Sequence, residues 1–194
     1  MAIVKGPLFS LSATGKLADA LVYMTWKGIN DVRKYVIPSN PKSTLQTTQR
    51  DYLKDAVTRW HVTDWYAADL TAFNNWAAIA SSAMSGFNRW IKGALDYQRD
   101  GYTMEQINKA VISAVVTTGF LITLEGHADW TYTCKYGTSP TAMVETNVVT
   151  NTAGVLTSTL TGLTADTVYY VQIYCTQALK WATTGIFKQR TAAA

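Results

Sequence analysis

The residues that most often carry out chemistry in proteins are few in this chain and lie far apart. There are two histidines, His61 and His127, and two cysteines, Cys134 and Cys175. A nucleophilic site needs a serine or cysteine beside a base, and a zinc site needs Cys or His in closely spaced pairs. The chain has no such spacing, no GxSxG, no HExxH and no glycine-rich phosphate loop. We therefore expect no catalytic activity, no metal and no cofactor.

A basic and aromatic cluster near the N-terminus is the other group of residues that could bind a ligand. Lys27, Arg33 and Lys34 lie close in sequence to Trp26 and Tyr35. Cations beside aromatic rings bind single-stranded nucleic acid or phosphate. An acidic protein surface attracts the same residues equally well, and a merely solvated basic face is a third interpretation.

Charge is scarce in the chain and concentrated at its N-terminal end. Charged residues form 15% of the sequence, whereas about 25% is usual. Residues 1–42 hold six basic and two acidic residues, so their net charge equals the +4 of the whole chain. An excess of this size is modest for a nucleic-acid partner. Because a surface with few charges is poorly protected against association, we expect neighbouring subunits to cover part of it.

The N-terminal residues predict an extended arm followed by a β-hairpin, over residues 1–42. Two apolar, β-prone runs, 20–26 and 32–37, flank the sequence KGIN at 27–30, whose Gly and Asn tolerate positive φ. Pro41 ends the second strand, because it has no N–H to donate and forces an extended residue before it. Residues 1–19 have little core of their own and need a neighbour to cover them.

Three helices are expected in residues 43–107. Ser43 and Gln46 have the spacing of a capping box, and apolar residues at 52, 53, 56, 57 and 60 follow on one helix face. Thr63 is expected to cap a second helix with Asp64 in its first turn. A third helix is expected over residues 87–99, where Asp100-Gly101 ends it.

Residues 108–194 change to short runs of alternating Thr, Val and Tyr, which are typical of strands. The seven candidate strands are 111–112, 120–124, 130–136, 144–150, 155–160, 168–175 and 186–190. Seven short strands in about 85 residues is the pattern of a β-sandwich. The predicted fold class is therefore α+β, with an arm and hairpin (1–42), a helical unit that completes an anchoring domain (43–107) and a seven-strand sandwich (108–194).

The C-terminal part resembles a fibronectin type III domain. The sequences WTYTCKYGT (130–138) and LTGLTADTVYYVQI (160–173) are similar to the third strand of that family and to its E–F corner and sixth strand. The resemblance implies that Tyr169 forms a tyrosine corner, with its hydroxyl bonded back to the backbone. Strand alternation places Trp130, Cys134 and Cys175 inward. The usual tryptophan of the second strand is missing, and Phe120 or Ile122 is expected in its place.

The two cysteines are expected to lie on neighbouring strands of one sheet, close to each other. We predict buried, reduced thiols that act as small hydrophobic side chains, because a protein made in a cytoplasm rarely carries a structural disulfide.

Residues 1–90 resemble structural proteins of tailed-bacteriophage virions. The matching motifs are GPL at 6–8, SATGKL at 12–17, WKG at 26–28, PSNP at 38–41 and SGFN at 85–88. The resemblance implies a non-enzymatic component of a virion assembled in the host cytoplasm. An anchoring domain that carries an immunoglobulin-like module is a common arrangement in such particles.

We therefore expect a head-associated or decoration protein that docks through its N-terminal half and holds the sandwich outward. Neck or tail attachment, including the anchoring of a fibre, is the alternative, and a nucleic-acid-binding protein is a weaker one. The expected docking residues are Leu8, Trp26, Lys27, Arg33, Lys34, Tyr35 and Val36. Expected partners are other virion proteins and further copies of the chain, with a host-surface glycan as a further candidate. No membrane is expected, since no apolar run approaches the ~20 residues that span a bilayer.

Overall fold

The computed structural model has an α+β fold, as predicted, and divides the chain into two compact units. It describes residues 3–4, 13–17, 20–26, 29–37, 39–40, 42–79 and 84–194. The N-terminal unit is Met1–Ser43 and the C-terminal unit is Thr44–Ala194. The three helices therefore group with the sandwich strands in one unit.

The N-terminal unit is an antiparallel sheet. Its strands, in spatial order, are β1 (Ile3–Val4), β2 (Ala13–Leu17), β3 (Leu21–Trp26) and β4 (Ile29–Lys34). The predicted hairpin is present, but Trp26 pairs with Ile29, so two residues rather than four connect its strands. The expected four-residue connection was wrong because Ile29 and Asn30 continue the ladder, and two-residue connections suit the twist of paired strands.

The C-terminal unit begins with helices α1 (Thr44–Val62), α2 (Ala67–Ile79) and α3 (Gly86–Arg99). Ser85 caps α3, because its side chain accepts a hydrogen bond from the Asn88 N–H at 3.3 Å. Thr63 does not cap α2, which corrects the sequence-based prediction. Its hydroxyl donates to the carbonyl of Arg59 at 2.7 Å, so it closes the last turn of α1 instead.

Helix α2 is started by Asp69, a residue that the sequence patterns do not single out. The Tyr66 N–H, just before the helix, donates to Asp69 Oδ2 at 2.9 Å. This is the reciprocal half of a capping box, in which the third helical residue reaches back to the cap. Asp64 lies before the helix rather than in its first turn.

The remaining strands form a β-sandwich with a short parallel pair beside it. The strands are β5 (Thr103–Met104), β6 (Asn108–Val116), β7 (Gly119–Glu125), β8 (Tyr132–Gly137), β9 (Glu145–Val148), β10 (Thr150–Thr152), β11 (Val155–Leu160), β12 (Val168–Cys175), β13 (Lys180–Trp181) and β14 (Phe187–Arg190). One sheet has the order β10-β11-β7-β6, the other β14-β12-β8-β9, and β13 pairs with β5.

Strand order identifies the sandwich as immunoglobulin-like. With β6 as strand A and β14 as strand G, the sheets are D-E-B-A and G-F-C-C′, the arrangement that immunoglobulin-like domains share. All seven predicted strands are present. The candidate at 144–150 splits into β9 and β10, which belong to different sheets, so this segment crosses from one sheet to the other.

Helices and sandwich share their cores. Ala72 of α2 is buried among the sandwich residues, which include Phe120, Ile122 and Val171. In the other direction, Trp181 of β13 packs with the aromatic cluster of the helices, where its ring lies 5.9 Å from that of Trp90. Helix α2 therefore covers part of the sandwich core, beside the edge strands β6 and β14.

These shared contacts lead to a prediction about fragments. We expect residues 44–194 to unfold in one cooperative transition, with tryptophan fluorescence and far-ultraviolet circular dichroism changing together. Residues 108–194 alone should still unfold cooperatively as a β-sheet protein but at a lower denaturant midpoint, because that fragment lacks the cover that α2 supplies. Two separate transitions in residues 44–194 would contradict the shared core. The domain boundary after residue 107 stays a prediction about independent folding.

Candidate functional site

The predicted docking residues belong to the N-terminal unit, and the structure describes some of them. Leu8 and Lys27 lie outside the described residues. Trp26 ends β3 opposite Ile29, and its side chain is also outside the described part of the chain.

The docking residues beyond Trp26 lie in sequence on and just after β4. Arg33 and Lys34 are exposed, and Val36 has 68% of its surface exposed. Tyr35 is half-buried, and Lys16 Nζ lies 3.8 Å from the centre of its ring, a cation–π contact.

No described side chain of the N-terminal unit is buried, although many are apolar. Leu21, Val22, Tyr23 and Met24 of β3 are half-buried, while Val32 and Ile37 are 51% and 74% exposed. Burying a valine or leucine side chain completely is worth about 1.5–3 kcal/mol. A sheet of this composition is stabilised by whatever covers it.

Each face of the β3–β4 hairpin combines an apolar patch with one cation. Tyr23 lies opposite Val32 and Leu21 opposite Lys34, so these four share one face. Val22 lies opposite Arg33 on the other face. An apolar centre with a charged rim is the usual composition of a protein–protein interface, so this hairpin is the candidate functional site of the N-terminal unit.

The residues that the fibronectin type III resemblance singles out lie in the core of the sandwich. The Tyr169 hydroxyl accepts a hydrogen bond from the Thr164 N–H at 3.0 Å, the geometry of a tyrosine corner. Trp130 is 5% exposed, and its ring stacks on that of His127 at 5.0 Å. Phe120 and Ile122 of β7 are both buried in the sandwich core.

Both cysteines are free thiols that differ in burial. Cys134 is fully buried opposite Ile173, whereas Cys175 is half-buried opposite Tyr132. They therefore lie diagonally on neighbouring strands, not directly across from each other. Burial raises the pKa of the Cys134 thiol to about 11, and burial also raises the pKa of Cys175.

Thiol labelling tests this difference. The thiolate is the reactive form, so at pH 8 a disulfide reagent should label Cys175 slowly in the native protein and leave Cys134 unmodified for hours. Both should react at once in denaturant. The variant Cys175→Ser should show no native labelling, and fast labelling of that variant would contradict the burial of Cys134.

Neither a metal site nor a membrane-spanning helix occurs within the described residues. No group of three His, Cys, Asp or Glu side chains is close enough to hold a metal ion there. None of the described helices has the length and apolarity needed to cross a bilayer.

Comparison with solved structures gives distant likenesses. No protein-family model and no curated protein matches the chain. One similar solved structure is a computer-redesigned β-sandwich protein, with 14% identity and a TM-score of 0.39 over 47% of this chain and 98% of the other. Another is a fibronectin type III domain derived from a human protein, with 13% identity and a TM-score of 0.35 over 59% and 88%. Both are β-sandwich domains.

Proposed function

We propose that this protein is a non-enzymatic structural component of a tailed-bacteriophage virion. The observation that carries the proposal is the N-terminal unit, an apolar sheet in which no described side chain is buried. Such a sheet is stabilised by docking on another subunit. The resemblance of residues 1–90 to virion proteins indicates that this other subunit is a virion protein.

The contact we propose uses the β3–β4 hairpin and the residues after it. Val32, Val36 and Ile37 would bury their apolar surface against the neighbour, and Arg33 and Lys34 would pair with its acidic residues at the rim. Neither cation forms an ion pair with a described residue of its own chain, so both are available to a partner.

Within the virion, we favour attachment to the head as an associated or decoration protein present in several copies. The C-terminal unit has a core of its own, so it can project from the particle without further support. Attachment at the neck or tail, as an anchor for a fibre, is the alternative. Electron microscopy of particles with a labelled C-terminus distinguishes these positions.

A charged substitution at Val36 tests the docking surface. Val36→Asp should lower the amount of this protein in purified particles at least about tenfold, because an unpaired carboxylate would have to be desolvated in the interface. Val144→Asp is the matched control, since Val144 is also an exposed valine outside the strands, 78% exposed against 68% for Val36. Quantitative mass spectrometry of particles measures both.

Equal occupancy of the two variants would contradict docking through this surface. Nucleic acid as the partner would show itself differently. Binding would then fall steeply with salt, with about one unit of logarithmic slope for each phosphate neutralised, and Val36→Asp would matter no more than removal of Lys34.

A further inference from the structure

A groove of about 660 Å³ is lined entirely by residues of the C-terminal unit. Its lining comes from helix α3, from strands β8 and β12, from the segment 176–183, and from Trp76 of α2 and Tyr102. The strand residues Lys135, Gln172 and Tyr174 alternate with the buried Cys134, Val171 and Ile173, so they form the outer face of the sheet. The volume is in the usual range of small-ligand sites.

The groove is basic, with four cationic side chains and one acidic side chain in its lining. Its four cationic side chains are Arg89, Lys92, Lys135 and Lys180. None of them forms an ion pair with a described residue. The acidic side chain in the lining, Asp96, lies 3.6 Å from Arg99, which is not part of the lining. The groove therefore carries a net positive charge, which favours an anionic ligand.

Aromatic rings lie beside these cations. The Arg89 guanidinium is 4.6 Å from the ring centre of Trp76, and Lys135 Nζ is 4.7 Å from that of Tyr174. The Arg89 Nε is buried and has no hydrogen-bond partner among the described residues. The protein thus holds Arg89 by stacking and not by a carboxylate, which keeps its charge uncompensated.

Tyr97 adds a ring that is rigid and accessible. It is 40% exposed and stacks on the buried Trp181, with the ring centres 5.3 Å apart and the planes at 25°. A Cβ at Gly93 would lie 2.9 Å from the Trp181 ring, so glycine at this position lets the helix approach the tryptophan closely. The negatively polarised face of an aromatic ring attracts polarised C–H groups, such as those on a sugar ring.

Gln172 provides a fixed acceptor in the same place. Its Nε2 donates to the Thr184 carbonyl at 3.1 Å and to the Thr183 hydroxyl at 3.3 Å. Oε1 has no donor among the described residues, so it remains available as an acceptor. Gln172 also lies directly opposite Lys135 in the sheet. An acceptor, a cation and the Tyr174 ring are thus neighbours on one surface.

We propose that this groove binds a sugar that carries a carboxylate or sulfate group. The cations recognise the anion, the exposed part of the Tyr97 ring packs on the sugar's C–H groups, and Gln172 Oε1 accepts from a hydroxyl. A nucleotide also carries an anion and an aromatic base, so the titration below includes an oligothymidine to distinguish it from a charged sugar. All of the lining residues belong to the C-terminal unit, so this proposal does not rest on the docking function proposed above.

Calorimetric titration of the full-length protein tests the ligand class. The probes are 3′-sialyllactose, a sulfated disaccharide, neutral lactose, sodium sulfate and a short oligothymidine. At least one charged sugar should bind about tenfold or more tighter than lactose and than sulfate. Equal binding of lactose, equal binding of sulfate, tighter binding of the oligothymidine, or no binding of any charged sugar at millimolar concentration would each overturn the proposal.

Variants on one sheet locate the site. Lys135→Met keeps the apolar stem and removes the charge, and it should weaken binding of the charged sugar at least about tenfold while leaving lactose unchanged. Lys188→Met is the matched control, since Lys188 is exposed on β14 of the same sheet but outside the lining. It should change the affinity less than about twofold. Similar losses in both variants would place the binding elsewhere.

Discussion

Gly185→Ala is expected to destabilise the C-terminal unit by about 3 kcal/mol or more. A Cβ at residue 185 would lie 2.2 Å from both the carbonyl carbon of Ala72 and the nitrogen of Phe73. Both are backbone atoms of α2, so no side-chain rotation can relieve the overlap, and the helix itself must move. That movement would also strain two hydrogen bonds, from the Ile186 N–H to the Ala72 carbonyl at 2.9 Å and from Asn75 Nδ2 to the Ile186 carbonyl at 3.1 Å.

Urea unfolding measures this loss, and Gly162→Ala is the control. Gly162 has a φ of +72°, and a Cβ at this position would have no atom within 4 Å, so alanine there meets backbone strain alone. That strain costs about 1–2 kcal/mol. Gly185→Ala should exceed it and should also change the fluorescence of the helical tryptophans. A loss no greater than that of the control would mean that α2 is not held against the sandwich as described.

The contrast between these glycines shows what sequence patterns can and cannot reveal. Alternation and turn residues predict the strands 155–160 and 168–175 to the residue, because local spacing alone decides which face each side chain takes. Nothing local distinguishes Gly185 from Gly162. The requirement for glycine at 185 comes from α2, a helix far earlier in the chain.

The same limit applies to the candidate sites. The basic and aromatic cluster around β4 is visible in the sequence because its residues are close together there. The groove is not, since Arg89, Lys135 and Lys180 come from three separate segments that only the tertiary fold brings together. The parallel pairing of β5 with β13 escapes sequence patterns for a related reason. Two-residue strands carry no periodicity, and their partners are distant in sequence.

The prediction placed the start of α2 at Thr63 because hydroxyl residues are common helix caps and an acidic residue follows Thr63. The helix begins later, at Ala67. The hydrogen bond that caps α2 joins the backbone N–H of Tyr66 to the carboxylate of Asp69. An aspartate three residues after a tyrosine has no distinctive signal. What makes Asp69 special is its second contact, with β6.

Asp69→Ala is expected to lower the free energy of unfolding by about 3 kcal/mol. Asp69 is 2% exposed, and its Oδ1 accepts from the Ala110 N–H of β6 at 3.1 Å while Oδ2 accepts from Tyr66. Alanine would leave both N–H groups without these acceptors, one of them buried, and would remove one of the hydrogen bonds that link α2 to the sandwich. Urea unfolding measures the loss. Asp51→Ala, at an exposed position of α1, is the control and should cost less than about 0.5 kcal/mol.

The pH dependence of that loss separates the carboxylate's charge from its hydrogen bonds. Burial raises the pKa of Asp69 above its ordinary value, and this outweighs the backbone donors, which lower it. The unfolded chain therefore releases this proton at a lower pH than the native protein does. The stabilisation that Asp69 provides is complete below the unfolded pKa of about 4 and declines as pH rises through the native value. The difference in the free energy of unfolding between wild type and Asp69→Ala should thus be largest at acidic pH and should decrease towards neutral pH. A difference that widens with pH would show that ionised Asp69 is the stabilised form, and that its hydrogen bonds outweigh the cost of burying the charge.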